Sequence, residues 1–424
     1  MTRPVDLLLE NVTLPDGRIA DVAIDRGIVR HVGAPLRAYE SVDCSRLICM
    51  PGAIDMHVHM RGGEQAYKED FASGTASAVA GGVTVVVDQP NTIPPLTTGE
   101  RITARIRDAA EHAVCGFAVN AGVTADADLE GMWRAGALAF GETFAAPSSY
   151  GEALSPEELS GALQRIARIG GVATIHAEEI VSGKLPQTLA DHDRMRPADG
   201  EARAVAIVGG LAPPGSRIHF CHLSTAAAVK TARGSVEVTP HHLFLSRERF
   251  DPEDAAGKVN PPLRSETDRR HLWSCWEKID VVASDHAPHT AEEKRRALAE
   301  APSGIPGVET MAPLLMAAVQ KREISRISVM EKTSWTPAVL LGIPVAGFAP
   351  GDRADYALYP REIASVDPDA LHSRAGWSPY AGYEAVFPVE VIMQGVRAYK
   401  DGDHLAALPR WYPGDGYNIP ENKY

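Results

Sequence analysis

The chain has 424 residues, 45% hydrophobic and 23% charged, an ordinary globular balance with ample apolar material for a large core plus a smaller one. With 42 basic against 55 acidic residues the formal charge is −13, and no Lys/Arg block appears, so nucleic acid is excluded as the expected partner. Five cysteines without a CxxC pair argue against a disulfide framework or a thiolate zinc site, and no apolar run is long enough to span a bilayer.

The start, MTRPVDLLLENVTLPDG, lacks a cationic segment followed by an apolar one, so a cytoplasmic location is expected. Short strands are predicted at Val5–Glu10, Ile19–Asp25 and Ile28–Val32, punctuated by Pro15-Asp16-Gly17 and Asp25-Arg26-Gly27. From about residue 52 strand-like runs alternate with Ala-rich helical stretches. The runs are Ala53–His59, Thr84–Asp88, Gly116–Gly122, Leu138–Glu142, Val172–His176, Arg217–His222, Ser235–Thr239 and Asp280–Ser284. Helices are predicted at Ala72–Ala80, Glu157–Arg168 and Ala202–Val208, among others. Eight strand-then-helix units point to a (β/α)8 TIM-type barrel over residues 53–345. Strands return at Ala354–Tyr359 and Val389–Tyr399. Residues 1–52 and 346–424 are therefore expected to form one discontinuous small β-sandwich domain. Tyr412–Tyr424 reads as an irregular surface tail.

Barrels of this kind carry their active sites at the C-terminal ends of the strands. His57 and His59 share one face of the first strand, because strand side chains repeat every two residues. Glu142, His176 and His222 end the fourth, fifth and sixth strands. Asp285 ends the eighth, followed by His286 and His289. Four histidines and two carboxylates on one cavity suit Zn²⁺, and Mn²⁺ or Co²⁺ less exclusively. Six ligands exceed the usual four of one zinc, so one or two ions are expected. Taken singly, each residue has a bland reading: a core histidine, or an aspartate capping a turn. Their joint position at strand ends favours the metal site.

The remaining histidines read differently. His31, His112, His192, His271, His372 and His404 are expected to be solvated. His219 faces away from His222 and reads as structural, and His241 or His242 either touches the site or caps the seventh strand. Cys221 is expected to face away from His222, buried and inert. Thr290–Gly307 reads either as a mobile flap or as a plain surface loop.

The segments PGAIDMHVHMR, VVVDQPNT, HAEE, CHLST, EVTPHHL, NPPLR, SDHAPH and GIPGVET occur in this order. Together they resemble the dihydroorotases, cyclic amidohydrolases of the amidohydrolase superfamily, over nearly the whole chain. The resemblance implies that His57, His59 and Asp285 hold a first metal and that His176 and His222 hold a second. It implies that Asp285 passes a proton from the attacking water to the leaving amide nitrogen. It implies that Arg61 binds the substrate carboxylate, with Asn91, Asn260 and His289 as further substrate contacts. Many relatives place a carboxylated lysine at the end of the fourth strand. Here Glu142 is the natural carboxylate. A second departure follows Arg61, where Gly62-Gly63-Glu64-Gln65 replaces the usual acidic-Pro-Gly.

The implied reaction is hydrolysis of dihydroorotate to N-carbamoyl-L-aspartate, reversibly. The implied substrate is a small anionic cyclic amide, which a net-acidic chain must meet with local positive charge. The alternatives are an allantoinase or hydantoinase, or a non-catalytic partner of aspartate transcarbamoylase. A homo-oligomer is expected, with neither membrane nor nucleic acid as partner.

Overall fold

A computed structural model describes residues 3–144 and 153–417. Eight parallel strands form a closed ring: Ala53–Val58, Val83–Asp88, Gly116–Val119, Phe140–Phe144, Val172–His176, Arg217–Phe220, Ser235–Val238 and Val281–Val282. Strands one to three pair in order, as do strands four to eight. Single bridges, Ala121 to Phe140 and Val58 to His286, close the two seams. The first two strands, AIDMHV and VTVVVD, are buried at every position, as expected of a parallel sheet covered on both faces. The barrel expected from the alternating pattern is thus present. Its sixth and eighth strands end a few residues before His222 and Asp285, which take φ of 36° and 45°, outside the strand region.

Helices Phe71–Ala80, Gly99–His112, Pro156–Arg168, Ala198–Leu211 and Met311–Gln320 surround the ring. Asp70 caps the first of these, and its side chain and that of Ser73 reciprocally satisfy each other's backbone N–H. Ser155 and Glu158 do the same at Pro156–Arg168, where proline takes the first helical position. The main core packs strand residues such as Val58, Val86, Phe117 and Phe140 against Phe71, Val79, Ile102, Leu163 and Met311 from the helices.

The terminal strands share one nine-stranded sheet. Ile48–Pro51 pairs antiparallel with Tyr356–Tyr359 and joins the N-terminal strands to the C-terminal ones. The expected single run Val389–Tyr399 is a hairpin instead. Gln394 and Gly395 take φ of 52° and 75° between Glu390–Met393 and Val396–Lys400, the two left-handed residues of a tight hairpin turn. The expected tail carries no helix or strand over its described residues 412–417, but Tyr412 itself is buried, and just before it Arg410–Trp411 pairs with Gly116–Phe117 of the third barrel strand. Two aromatic side chains there have apolar surface to cover. Residues 418–424 of that expectation lie outside the described residues. Among the described residues, no helix is long and apolar enough to cross a membrane.

Candidate active site

His57, the first of the histidine pair, is fully buried, and its Nδ1 lies 3.0 Å from Glu237 Oε1. Glu237 comes from the seventh strand, SVEV, and is itself fully buried. Its Oε2 accepts from His219 Nε2 at 3.0 Å, and its Oε1 accepts from the His222 backbone N–H at 2.9 Å. Glu237 therefore fixes the proton of His57 on Nδ1. His57 Nε2 is left buried with no hydrogen-bond partner among the described residues. A histidine that donates one ring N–H to a carboxylate and turns the other nitrogen inward is arranged as a metal ligand. His219 is structural, as expected, and its structural role is to hold Glu237.

The other strand ends converge on the same point. His59 Nε2 lies 3.2 Å from Asp285 Oδ1, and His57 Nε2 lies 3.6 Å from the same oxygen. Glu142 Oε1 lies 2.7 Å from both His176 Nδ1 and His222 Nε2, and Glu142 Oε2 is 3.9 Å from His57 Nε2. His176 Nε2 faces Glu178 Oε2 at 2.7 Å, which orients that ring in the way Glu237 orients His57. The ligating atoms of His57, His59 and Asp285 lie within 4.8 Å of one another, as do those of His57, Glu142 and His222. Four imidazoles, two carboxylates and an inward-facing, unpartnered nitrogen fit a divalent metal.

The titration behaviour follows from these pairs. Burial alone pushes Glu142 upward, but hydrogen bonds from His176 and His222 outweigh it and hold the carboxyl well below the usual range. Burial lowers His176, yet Glu142 and Glu178 raise it to about 9. Asp285 is lowered, because His59, His57 and His222 outweigh its burial.

Behind these residues opens a cavity of about 430 Å³. It is lined by His59, Glu142, His176 and Asp285 together with Arg61, Asn91, Asn260 and His289. All four expected substrate contacts thus face one space. Arg61 takes φ of 45°, and Gly62 and Gly63 follow at 77° and 53°. This left-handed run turns Arg61 toward the cavity and accounts for the glycines that stand where acidic-Pro-Gly is usual in the family. Asp88 supports the turn by accepting from Met60 N–H at 2.8 Å, and is itself paired to Arg105. Arg61 Nε donates to Pro288 O at 3.3 Å, and burial lowers its guanidinium only to about 10, so it stays cationic. Lys68 Nζ donates to His289 Nδ1 at 3.1 Å, which leaves the proton on Nε2 for Ser303 O. Asn91 Nδ2 donates to Glu142 Oε2 at 3.3 Å.

Four expectations change. His192, read as solvated, is buried, and its Nε2 lies 2.9 Å from Val259 O and 3.0 Å from Asn260 Oδ1. It packs under Asn260, and burial lowers it to about 4. His372 is half-buried, and Glu309 binds its ring at 2.8 Å. Cys221 is buried, with its thiol raised to about 12 by burial, but its sulfur lies beside His57 and Glu237 instead of away from the site. Thr290–Gly307 is neither a free flap nor a plain surface loop. Lys294 Nζ donates to the carbonyls of Lys258, Pro302 and Gly304, and Pro302, Ser303 and Gly304 line the cavity. His241, at the end of the seventh strand, is fully buried, and neither ring nitrogen is hydrogen-bonded among the described residues.

Three residues escaped the sequence reading: Glu178, Glu237 and Arg196. Glu178 stood in plain view in HAEE, and Glu237 was signalled as a lone carboxylate in an apolar strand. Arg196 carried no signal.

The model of the amidohydrolase family matches residues 48–371. Dihydroorotase of Methanosarcina acetivorans is 38% identical over 92% of this chain and 91% of its own length. Dihydroorotase of Halobacterium salinarum is 38% identical over 97% and 99%. Among solved structures, L-hydantoinase (dihydropyrimidinase) from Arthrobacter aurescens superposes with a TM-score of 0.89 at 25% identity, over 96% of this chain and 100% of that one. The dihydropyrimidinase of Brevibacillus agri shares the fold at a TM-score of 0.86, 23% identity and coverage of 97% and 99%.

Proposed function

The chain belongs to the amidohydrolase family, and from that membership we propose that it is a metal-dependent hydrolase that opens the ring of dihydroorotate to N-carbamoyl-L-aspartate. The observation that carries the choice of ring is Arg61, a cation on the wall of the cavity that also holds His59, Glu142, His176 and Asp285. A guanidinium there can bind a carboxylate through two parallel hydrogen bonds. Hydantoin and allantoin have no carboxylate for it. Dihydroorotases aligning over nine-tenths of the chain support the same reading.

The metal in this reading is Zn²⁺, one or two ions, which His57, His59, Asp285, His176 and His222 would hold together with the carboxylate of Glu142. A bound ion supplies Lewis acidity and makes hydroxide available near neutral pH. Asp285 starts as a carboxylate, accepts the proton of the attacking water, and gives it to the ring nitrogen as the C–N bond breaks. Arg61, Asn91 and His289 orient the carboxylate end of the ring, and Asn260, braced by His192, is a further contact from the cavity wall.

Residues 1–52 with 346–424 form the small domain of this reading, and residues 53–345 the barrel. All five cysteines are buried free thiols, which fits a cytoplasmic location. The deciding experiment measures turnover of dihydroorotate, hydantoin and allantoin on one preparation with its metal quantified. Zinc-dependent turnover of dihydroorotate above the other two is expected. A metal-free protein with no turnover would instead favour the non-catalytic partner. Sedimentation, alone and with aspartate transcarbamoylase, tests the expected homo-oligomer and that association.

A further inference from the structure

One cationic residue of the cavity wall has no part in the reaction so far. Arg196 ends the short helix Leu189–Met195 and lines the cavity with Arg61, Glu142, His176 and Asp285. Only 15% of its side chain is exposed, and one guanidinium nitrogen donates to Glu178 Oε2. The same oxygen faces His176 Nε2 at 2.7 Å. The main chain is fixed as well, since Arg264 donates to the Arg196 carbonyl and, at 2.6 Å, to Asp193 Oδ1. Arg196 is therefore a pre-positioned fork, oriented by the carboxylate that also orients His176. Its Nε and Nη2 make no hydrogen bond within the described residues.

Arg61 and Arg196 approach from different sides. Arg61 follows the first strand, and Arg196 lies in the connection from the fifth strand to the sixth. In a closed ring of eight, the first and fifth strands stand across from each other. The ring of dihydroorotate carries three polar groups on alternate ring atoms: the carboxylate, the scissile amide carbonyl and the ureido carbonyl. They point about 120° apart by the geometry of any six-membered ring. Arg61 with His289 addresses the first and the metal cluster the second. The third requires a donor on another wall.

We propose that Arg196 binds the ureido carbonyl of the substrate, so that this site reads a cyclic ureide through Arg196 and a carboxylate through Arg61. The proposal rests on the functional reading above for the identity of the ring. Arg196 is a binding residue in it, and Glu178 is the positioning residue that serves both Arg196 and His176.

The test compares two ligands in zinc-loaded enzyme carrying Asp285→Asn, so that neither is consumed. Dihydroorotate has the ureido group. In 2-oxopiperidine-4-carboxylate the lactam and carboxylate stay, and two methylenes replace the ureido N–H and carbonyl. Calorimetry should show the parent preferring dihydroorotate by roughly tenfold to a hundredfold, the worth of a hydrogen bond to a charged group. Arg196→Met should bring that ratio close to one at matched zinc content, with a lower melting temperature because Glu178 loses its cationic partner. Arg61→Met should weaken both ligands and keep the ratio. Arg196→Lys, which keeps charge without the fork, should recover part of it. An unmoved ratio in Arg196→Met, or equal weakening of both ligands, overturns the proposal while leaving dihydroorotate as substrate. A wild-type enzyme that neither binds nor cleaves dihydroorotate overturns the functional reading, and this assignment with it.

Discussion

Replacing Glu142 with glutamine tests the centre of the site. The swap keeps the shape and removes one negative charge from between three imidazoles. Glu142 Oε1 lies 2.7 Å from His176 and His222, and Oε2 is 3.9 Å from His57. Opposite unit charges about 4 Å apart interact by about 4 kcal/mol at the effective dielectric of a partly screened site. That corresponds to about three orders of magnitude in metal affinity, since every 1.4 kcal/mol is about tenfold. The amide oxygen can still accept from His176 or His222, so the fold is kept, but the metal-free protein should melt lower because the charge interaction with His176 is lost. The assay is competitive zinc titration against a chromophoric chelator, with melting temperature followed in both states. The expected result is a large loss of affinity, a smaller zinc-induced rise in melting temperature, and activity falling in step with occupancy. Because the charge belongs to the side chain, wild-type loading should not change when bicarbonate is stripped from the buffer, as it would where a lysine must be carboxylated. A Glu142→Gln protein with wild-type zinc affinity would refute the role, and bicarbonate-dependent loading would refute the source of the charge.

Four further outcomes follow from the same geometry. Asp285→Asn should lower kcat for dihydroorotate by at least about a hundredfold, the usual weight of a general acid–base group, checked by steady-state kinetics at matched zinc content. Arg61→Met should raise KM for dihydroorotate by about tenfold or more with a smaller change in kcat, as loss of binding common to ground and transition states requires. Gly141→Ala should misplace Glu142 and reduce zinc retention, because Gly141 takes φ of 137° and an added Cβ would overlap the Thr174 carbonyl and hydroxyl; zinc per subunit after dialysis reads this. Burial lowers the Lys294 amine to about 7 against about 10.4 in an unfolded chain. From about pH 7 to 10 the unfolded state then holds the extra proton, so this group makes stability rise with pH across that window. Lys294→Met should remove that rise, as read by urea midpoints at intervals of pH.

The histidine pair of the proposed metal site was legible because strand periodicity is strict. In HxH, two residues of spacing put both imidazoles on one side, and barrel topology supplied the rest of the ring. What the sequence hid depends on contacts distant along the chain. His192 sits in the polar stretch DHDRM and reads as solvated, yet the loop at Val259-Asn260 folds over it. The charged stretch after residue 290 reads as surface, but Lys294 turns inward because buried carbonyls of the same loop require donors. Arg196 lies 20 residues beyond the strand end that it serves, too far for any local pattern to connect it with His176. Arg61 is the intermediate case. Its spacing from His59 gave the right side of the strand, but only the left-handed conformations of Gly62 and Gly63 explain how the chain leaves room for it.

Three of the proposed functional residues, Arg61, His222 and Asp285, share a feature that no spacing rule encodes: each has a positive φ. Such conformations are costly for side chains with a Cβ and persist where surrounding contacts enforce them. Here the enforcing contacts are visible. Glu237 holds the His222 N–H, Asp88 holds the turn before Arg61, and Asp55 accepts from the Ser284 N–H at 3.0 Å just before Asp285. Glycine would relax each position but would remove the side chain that makes the site. The strain is thus the consequence of ending a strand and re-aiming a functional group within one or two residues. It also decides how Asp285 should be probed. Asparagine tolerates the left-handed region at least as well as aspartate, so Asp285→Asn changes the proton chemistry and the ligand charge with the backbone preserved, and its kinetics are read at matched zinc content. A branched substitute such as Asp285→Val would confound lost chemistry with a displaced strand end.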